Sequence, residues 1–273
     1  MSFAELSGGP PPKPLDAPTP AIAGPSRMEY MRAYHYIFEN PNWLTNSLWL
    51  ALAVLIAGVV PGIGVLVYIP LLGYAFEVFD SLLASGGRRY PDVDMNRLER
   101  YFYRGVWPFL VGMIVTMVAM FVVLPLFYGG MIALFLAAAA VGDDGAAILM
   151  VIGIPALMLL LFGASAAVGV VTMPFIVRAG ISQDFASGFD FGWARDFVQR
   201  VGTDTLLANL FLTVTYFILA MLGLLAFCVG VYAAAAIVFL AWCHLMYQLY
   251  AVYLSRGGTP VPPKVETPQP QYQ

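Results

Sequence analysis

Val106–Ala139 reads VWPFLVGMIVTMVAMFVVLPLFYGGMIALFLAAA, without one charged residue. A helix rises about 1.5 Å per residue, so about 20 apolar residues cross the hydrocarbon of a bilayer. This run is longer than that. A second one, Ala146–Val177, follows directly after Gly142-Asp143-Asp144-Gly145. Two uncharged runs of such length, back to back, read as a transmembrane helical hairpin and set the fold class: an all-α integral membrane protein.

The rest of the chain agrees. Of 273 residues, 60% are hydrophobic and 11% charged, and the mean hydropathy is +0.80. A soluble domain is nearer 45–50% apolar and about 25% charged, so a larger core would not absorb the excess. Leu44–Val60 and Ile63–Leu83 form another hairpin, divided by Pro61-Gly62. Thr203–Cys228 and Gly230–Leu254 form a third. Pro125 and Pro155 are the expected kink sites of the long middle pair. Splitting that pair near Gly129-Gly130 and Gly163 would give eight spans rather than six.

The basic residues divide by side. Lys13, Arg27 and Arg32 precede the first hairpin. Arg88, Arg89, Arg97, Arg100 and Arg104 separate the first from the second. Arg178, Arg195 and Arg200 separate the second from the third, and Arg256 and Lys264 follow it. Those are all thirteen. None stands at a hairpin tip, where Asp143 and Asp144 are the only charges. The positive-inside rule then puts both termini and both long connections in the cytoplasm of a cell (inner or plasma) membrane. The first apolar run begins near Leu44, too far along for a signal peptide.

Three polar stretches carry helical apolar faces: Met28–Phe38 with Met31, Tyr34 and Phe38; Asp94–Arg104 with Met95, Leu98 and Phe102; and Asp184–Val201 with Phe185, Phe189, Trp193 and Phe197. Each predicts a cytoplasmic interfacial amphipathic helix ahead of a hairpin. Trp43 and Trp107 fall where interfacial aromatics anchor. The organisation expected is a disordered Pro-rich tail (1–26, with seven of the twenty prolines), a six-helix transmembrane domain (27–256), and a second such tail (257–273, with five). Tyr68–Gly87 aligns without gaps to Phe239–Gly258. Both close on Gly-Gly, and Glu77 falls on Gln248, which suggests a duplicated hairpin end.

MEYMRAYHYIFENPNW, LLGYAFEV, GGRRYPDVD…YFYRGVW, FDFGWARDFV, LGLLAFCVGVYAAAA and HLMYQLY, in that order over roughly residues 28–254, resemble the prokaryotic membrane family known as domain of unknown function 4013. Phe227-Cys228 stands where paired cysteines are expected in many relatives, which counts against a metal or redox role. The resemblance implies a multi-span prokaryotic membrane protein and brings no catalytic residues with it.

Ionisable residues inside a membrane are costly and mark function by default. The candidates are Glu77 and Asp80 in the last turns of the second helix, Arg178 ending the fourth, and His244, Tyr247 and Gln248 in the sixth. His244 and Gln248 share a face at i, i+4. If the duplicated hairpins face each other, Glu77, His244 and Gln248 form one polar cluster, with Arg178 able to pair with Glu77. The functional reading is a binding or permeation site, and the plainer one is a clasp between helices. Arg32, Arg97, Arg100, Arg104, Arg195 and Arg200 are candidate contacts to lipid headgroups.

Other polar positions read as structure. Asp94 suits a helix cap better than an Asp92-Val93-Asp94 metal site. Asp143-Asp144 suits a polar turn. Cys228 and Cys243 read as small buried apolar residues. No metal, cofactor or catalytic set is expected. His35 stands alone at the interface, and no basic tract points to nucleic acid. The function expected is a non-enzymatic membrane scaffold or accessory subunit. It would bind the lipid bilayer, anionic lipids and protein partners, or self-associate, at its cytoplasmic face. The alternative is a transporter or channel for a small or lipidic substrate.

Overall fold

The computed structural model describes residues 24–60, 62–225 and 229–263. Pro61, Cys228 and most of both Pro-rich tails lie outside them. Helices account for 85% of the described residues, and none of these is in a strand. They are α1 (Arg32–Phe38), α2 (Trp43–Val59), α3 (Ile63–Ser85), α4 (Leu98–Ala140), α5 (Gly142–Ser182), α6 (Phe185–Gly188), α7 (Phe191–Leu225) and α8 (Val229–Ser255). Five stretches among the described residues are long and apolar enough to cross a membrane. A sixth is the pair α1–α2, bent by 112° at its break.

Helices α3 and α8 form the centre. The main core joins Tyr74, Phe76 and Phe79 of α3 to Leu240, Met246 and Tyr250 of α8, with Tyr36 and Ile37 of α1 packed on them. Both helices end alike. The Gly87 N–H donates to the Leu82 carbonyl and the Gly258 N–H to the Tyr253 carbonyl, at 2.8 and 3.0 Å. These are the same positions of the aligned segments. Left-handed Gly86 (φ 63°) and Gly257 (φ 80°) make the closure possible. The likeness of the two hairpin ends is therefore structural as well as sequential.

The long middle pair differs from expectation in one respect. With 43 and 41 residues, α4 and α5 are each about 60–65 Å long, and they run unbroken through Pro125, Gly129-Gly130, Pro155 and Gly163. The turns that eight spans would need are absent. In hydrocarbon each broken backbone bond would leave an unsatisfied N–H and C=O at several kcal/mol, and an unbroken helix leaves none. The hairpin turn is confined to Val141 and a left-handed Gly142 (φ 73°). Asp143 and Asp144 occupy the first turn of α5 rather than a polar loop, where the helix dipole favours negative charge.

The second and third interfacial helices are not separate elements. Asp94 does cap a 3₁₀ turn, Met95–Arg97, accepting from the Asn96 N–H at 2.9 Å. That turn runs directly into α4. Of the third stretch, Phe185–Gly188 forms the short α6 and residues 191–201 are the opening turns of α7, so only α1 and the four-residue α6 stand apart. The reason is local, since no proline or paired glycine separates Arg104 from Val106 or Val201 from Thr203. The Phe185–Phe197 stripe turns mostly inward: Trp193 and Phe197 are buried in the main core, and Trp107 lies 6.1 Å from the ring of Phe185.

Candidate functional site

The six candidate polar residues all lie towards the end of the bundle that carries the arginines, but they form separate contacts. Glu77 of α3 is buried. Arg97 lies 3.7 Å from its Oε2 and Arg100 Nε 2.8 Å from its Oε1. The Arg100 N–H is not aligned on that oxygen, so the attraction is one of charge rather than a directed hydrogen bond. Asp80 pairs with Arg104. Arg178 does not reach Glu77. It binds Asp190 at 2.7 Å, donates to the Ser187 carbonyl at 2.7 Å and stands over the Trp193 ring at 5.5 Å. The expected pairing of Arg178 with Glu77 is thus replaced by one with Asp190, because α6 and the first residues of α7 fold back against the end of α5.

His244 and Gln248 do share a face, and they serve the backbone of other segments. Gln248 Oε1 accepts from the Glu29 N–H at 2.6 Å, and Nε2 donates to the Glu29 carbonyl at 3.0 Å. The Glu29 N–H can only donate, so the amide orientation is fixed. Nε2 then also donates to His244 Nδ1 at 2.8 Å. With Nδ1 accepting, His244 carries its proton on Nε2, 3.3 Å from the Gly87 carbonyl. Tyr36 packs on the imidazole at 4.4 Å. Tyr247 is buried at the edge of this group, and its hydroxyl has no hydrogen-bond partner among the described residues. Glu77 therefore joins α3 to α4, whereas His244 and Gln248 join α8 to the chain before α1 and to the end of α3.

Of the arginines read as lipid contacts, Arg32 pairs with Glu39, Arg104 with Asp80 and Arg200 with Asp196. Arg97 and Arg100 share the single carboxylate of Glu77 and remain half-exposed, Arg97 also standing 3.8 Å from Asp94. Arg195, Arg88 and Arg89 are exposed. Among the described residues no group of three or more His, Cys, Asp or Glu could hold a metal.

One polar centre escaped the sequence reading. The Asp92 carboxylate accepts from Asn40 and Asn46 on Oδ1, at 3.0 and 2.9 Å, and from Asn42 on Oδ2, at 2.7 Å. Asn46 in turn accepts from the Val93 N–H at 2.9 Å. The amide of Asn46 foremost, with those of Asn42 and Asn40, holds the Asp92 carboxyl below the usual carboxylate range. Beside it Tyr90 donates to the Ile37 carbonyl at 3.0 Å, and burial pushes its phenol up to about 12. The signal was present as three asparagines within ENPNWLTN, but nothing local paired them with YPDVD.

This centre joins two of the stretches on which the family resemblance rests, ENPNW and YPDVD. The family model described as a protein of unknown function (DUF4013) matches residues 56–229, more than half of the chain. The chain belongs to the DUF4013 family. The DUF4013 match begins inside α2 and ends as α8 starts. It covers Glu77, the arginines of the α3–α4 connection and the whole long hairpin, while Asn40, Asn42, Asn46, His244 and Gln248 lie outside it. No curated protein and no solved structure matches the chain.

Proposed function

We propose that this DUF4013 protein is a multi-pass scaffold or accessory subunit of the cell membrane, crossing it six times with both termini in the cytoplasm, and that it gathers anionic lipid headgroups and protein partners at its cytoplasmic face. The observation that carries the reading is a set of exposed guanidinium groups on the connection between α3 and α4 and the first turn of α4, which also hold Asp92, Asp94 and Glu99. Arg97 and Arg100, both half-exposed, lean on the one buried carboxylate of Glu77, and exposed Arg88 and Arg89 stand a few residues earlier on the same connection. Each basic residue near an anionic surface is worth about 1 kcal/mol. On α4, an apolar groove of about 380 Å³ lined by Met117, Met120 and Phe121 suits acyl chains. Transport is the weaker reading, because Glu77 and the His244–Gln248 pair are each engaged by their own neighbours rather than lining one path.

The test is lipid selection. The protein would be placed in nanodiscs of mixed phosphatidylglycerol and phosphatidylcholine, and the lipids retained on extraction counted by native mass spectrometry. Several-fold enrichment of phosphatidylglycerol is expected, falling towards the bulk ratio in Arg88→Gln/Arg89→Gln and in Arg97→Gln/Arg100→Gln. Equal retention of the two lipids by the unsubstituted protein would sink the reading.

A further inference from the structure

The spans differ in apolar length by about a factor of two. Helix α2 turns Leu44, Leu48, Leu52, Ile56 and Val59 outwards, all of them exposed. That stripe of about 16 residues is about 24 Å long, less than the roughly 30 Å of bilayer hydrocarbon. Both of its ends are fixed. At the cytoplasmic end the Asp92 carboxylate gathers Asn40, Asn42 and Asn46 around the first turn, and a carboxylate is costly inside hydrocarbon. At the other end left-handed Gly62 (φ 82°) turns the chain into α3. Residues 106–140 of α4 and 145–177 of α5, by contrast, carry no charge over about 35 and 33 residues, which is about 50 Å each.

The long pair also outruns its neighbours. Helix α2 packs on α3 and α8, whereas α4 packs on α3 and α5 on α7, so the bilayer meets short and long spans at different places on the perimeter. Asn209 of α7 donates to the Ala166 carbonyl of α5 at 3.3 Å. From that level about 16 residues of α7 remain to its outer end and about 24 of α5, so α5 continues about 12 Å further. Gly105 of α4 lies against Ile69 of α3, and beyond this contact α3 has about 6 residues left and α4 about 35. The outer part of the pair packs on itself, Gly130 against Leu157 and Gly153 against Leu134. Its outward surface is apolar on every side: Phe121, Val122 and Leu136 of α4 and Val151, Ile152 and Leu159 of α5 are all exposed. A protein partner would cover one face and leave the opposite one polar, whereas a helix apolar all round has hydrocarbon as its solvent.

We infer that the protein holds a bilayer of graded thickness, thin beside α2 and thick beside the α4–α5 pair, and that it sorts lipids by acyl-chain length around its perimeter. A rod of about 50 Å fits into roughly 30 Å of hydrocarbon only at about 53° from the membrane normal, and transmembrane helices tilt by about 0–40°. At about 40° the pair still needs about 38 Å of hydrocarbon, while upright α2 offers about 24 Å. Each ångström of stretching or compression of the lipid chains costs free energy. Long-chain lipid lowers that cost beside the pair, and short-chain lipid lowers it beside α2. The groove at Met117, Met120 and Phe121 lies on the long side, where it seats a long chain.

The inference rests on the multi-span part of the proposed function and not on its headgroup selection, so the test keeps one headgroup. The full chain, in a Cys228→Ser/Cys243→Ser background, carries a fluorophore on a single cysteine, Leu48→Cys, Phe121→Cys or Leu136→Cys. Each protein is placed in vesicles of equal amounts of di-14:1 and di-22:1 phosphatidylcholine, with a quenching nitroxide on the acyl chains of one lipid or the other. The ratio of long-chain to short-chain quenching should be at least about two-fold higher at positions 121 and 136 than at position 48. Equal ratios at the three positions would overturn the inference. Shielding of positions 121 and 136 from both lipids would also overturn it, since a second copy or another protein would then cover the pair. Quenching at position 136 by aqueous iodide would overturn it too, by placing the outer part of the pair in water. Iodide quenching at all three positions would remove the membrane reading as well. Equal ratios together with phosphatidylglycerol enrichment in the headgroup assay would remove this inference alone.

Discussion

The side-chain amide of Gln183 donates to the Arg104 carbonyl at 3.1 Å, the oxygen that Pro108 leaves without a helical partner. In an uninterrupted helix the N–H of residue 108 would serve that carbonyl, and proline has none. Gln183 reaches it from the end of α5, where it is left-handed (φ 50°), the one such residue other than glycine among the described residues. A helix end on one element thus repairs a defect inside another.

Gln183→Ala should therefore destabilise by about 1 kcal/mol or more, the cost of leaving a partly buried acceptor unpaired. The repair has a signature. In Pro108→Ala the backbone N–H returns, so Gln183→Ala should cost much less in that background. Thermal unfolding of the four proteins in one detergent gives the coupling. Additive losses would show that Gln183 acts elsewhere.

The crossing of α3 and α4 depends on two glycines. A Cβ on Gly105 would lie 1.8 Å from the Ile69 carbonyl oxygen, and one on Gly73 1.8 Å from that of Tyr101. Both obstacles are backbone, so the helices would have to separate. Gly105→Ala and Gly73→Ala should each cost about 3 kcal/mol or more, or abolish folding. Gly129, also inside α4, has nothing within 4 Å of its added Cβ. Gly129→Ala should be neutral or stabilising by up to about 1 kcal/mol. Comparable losses at positions 105 and 129 would mean that helix propensity, not the crossing, sets the effect.

Asp92 predicts a pH dependence of known sign. Its folded pKa is lowered, first by the Asn46 amide. The contribution is present above the unfolded value, about 3.9, and is lost as pH falls through the lower folded value. The melting temperature should drop between about pH 4 and pH 2 by more in the unsubstituted protein than in Asp92→Asn. Parallel pH profiles for the two proteins would exclude the asparagine clasp as their cause.

Topology can be read by labelling. In a Cys228→Ser/Cys243→Ser background, Asp143→Cys should react with an impermeant maleimide on intact cells. Arg88→Cys should react only after the membrane is opened. Reaction of both, or of Arg88→Cys alone, on intact cells would reverse or break the proposed orientation.

The sequence by itself determined the all-helical class and the apolar runs, and it carries the charge asymmetry on which the proposed orientation rests. Uncharged runs such as Val106–Ala139 suit only a helix in lipid, and no basic residue falls at a hairpin tip. Asp94 was legible as a cap because capping acts over two residues. Partners distant in the chain were not legible. Glu77 faces Arg97 and Arg100 rather than Gln248, Arg178 takes Asp190, and Asp92 gathers Asn40, Asn42 and Asn46. Hydropathy and periodicity describe which face of a helix is apolar, but they do not say which helix lies against it or at what height. Those follow from close backbone approach at Gly73 and Gly105 and from the fold of the connections, which only the packed bundle decides.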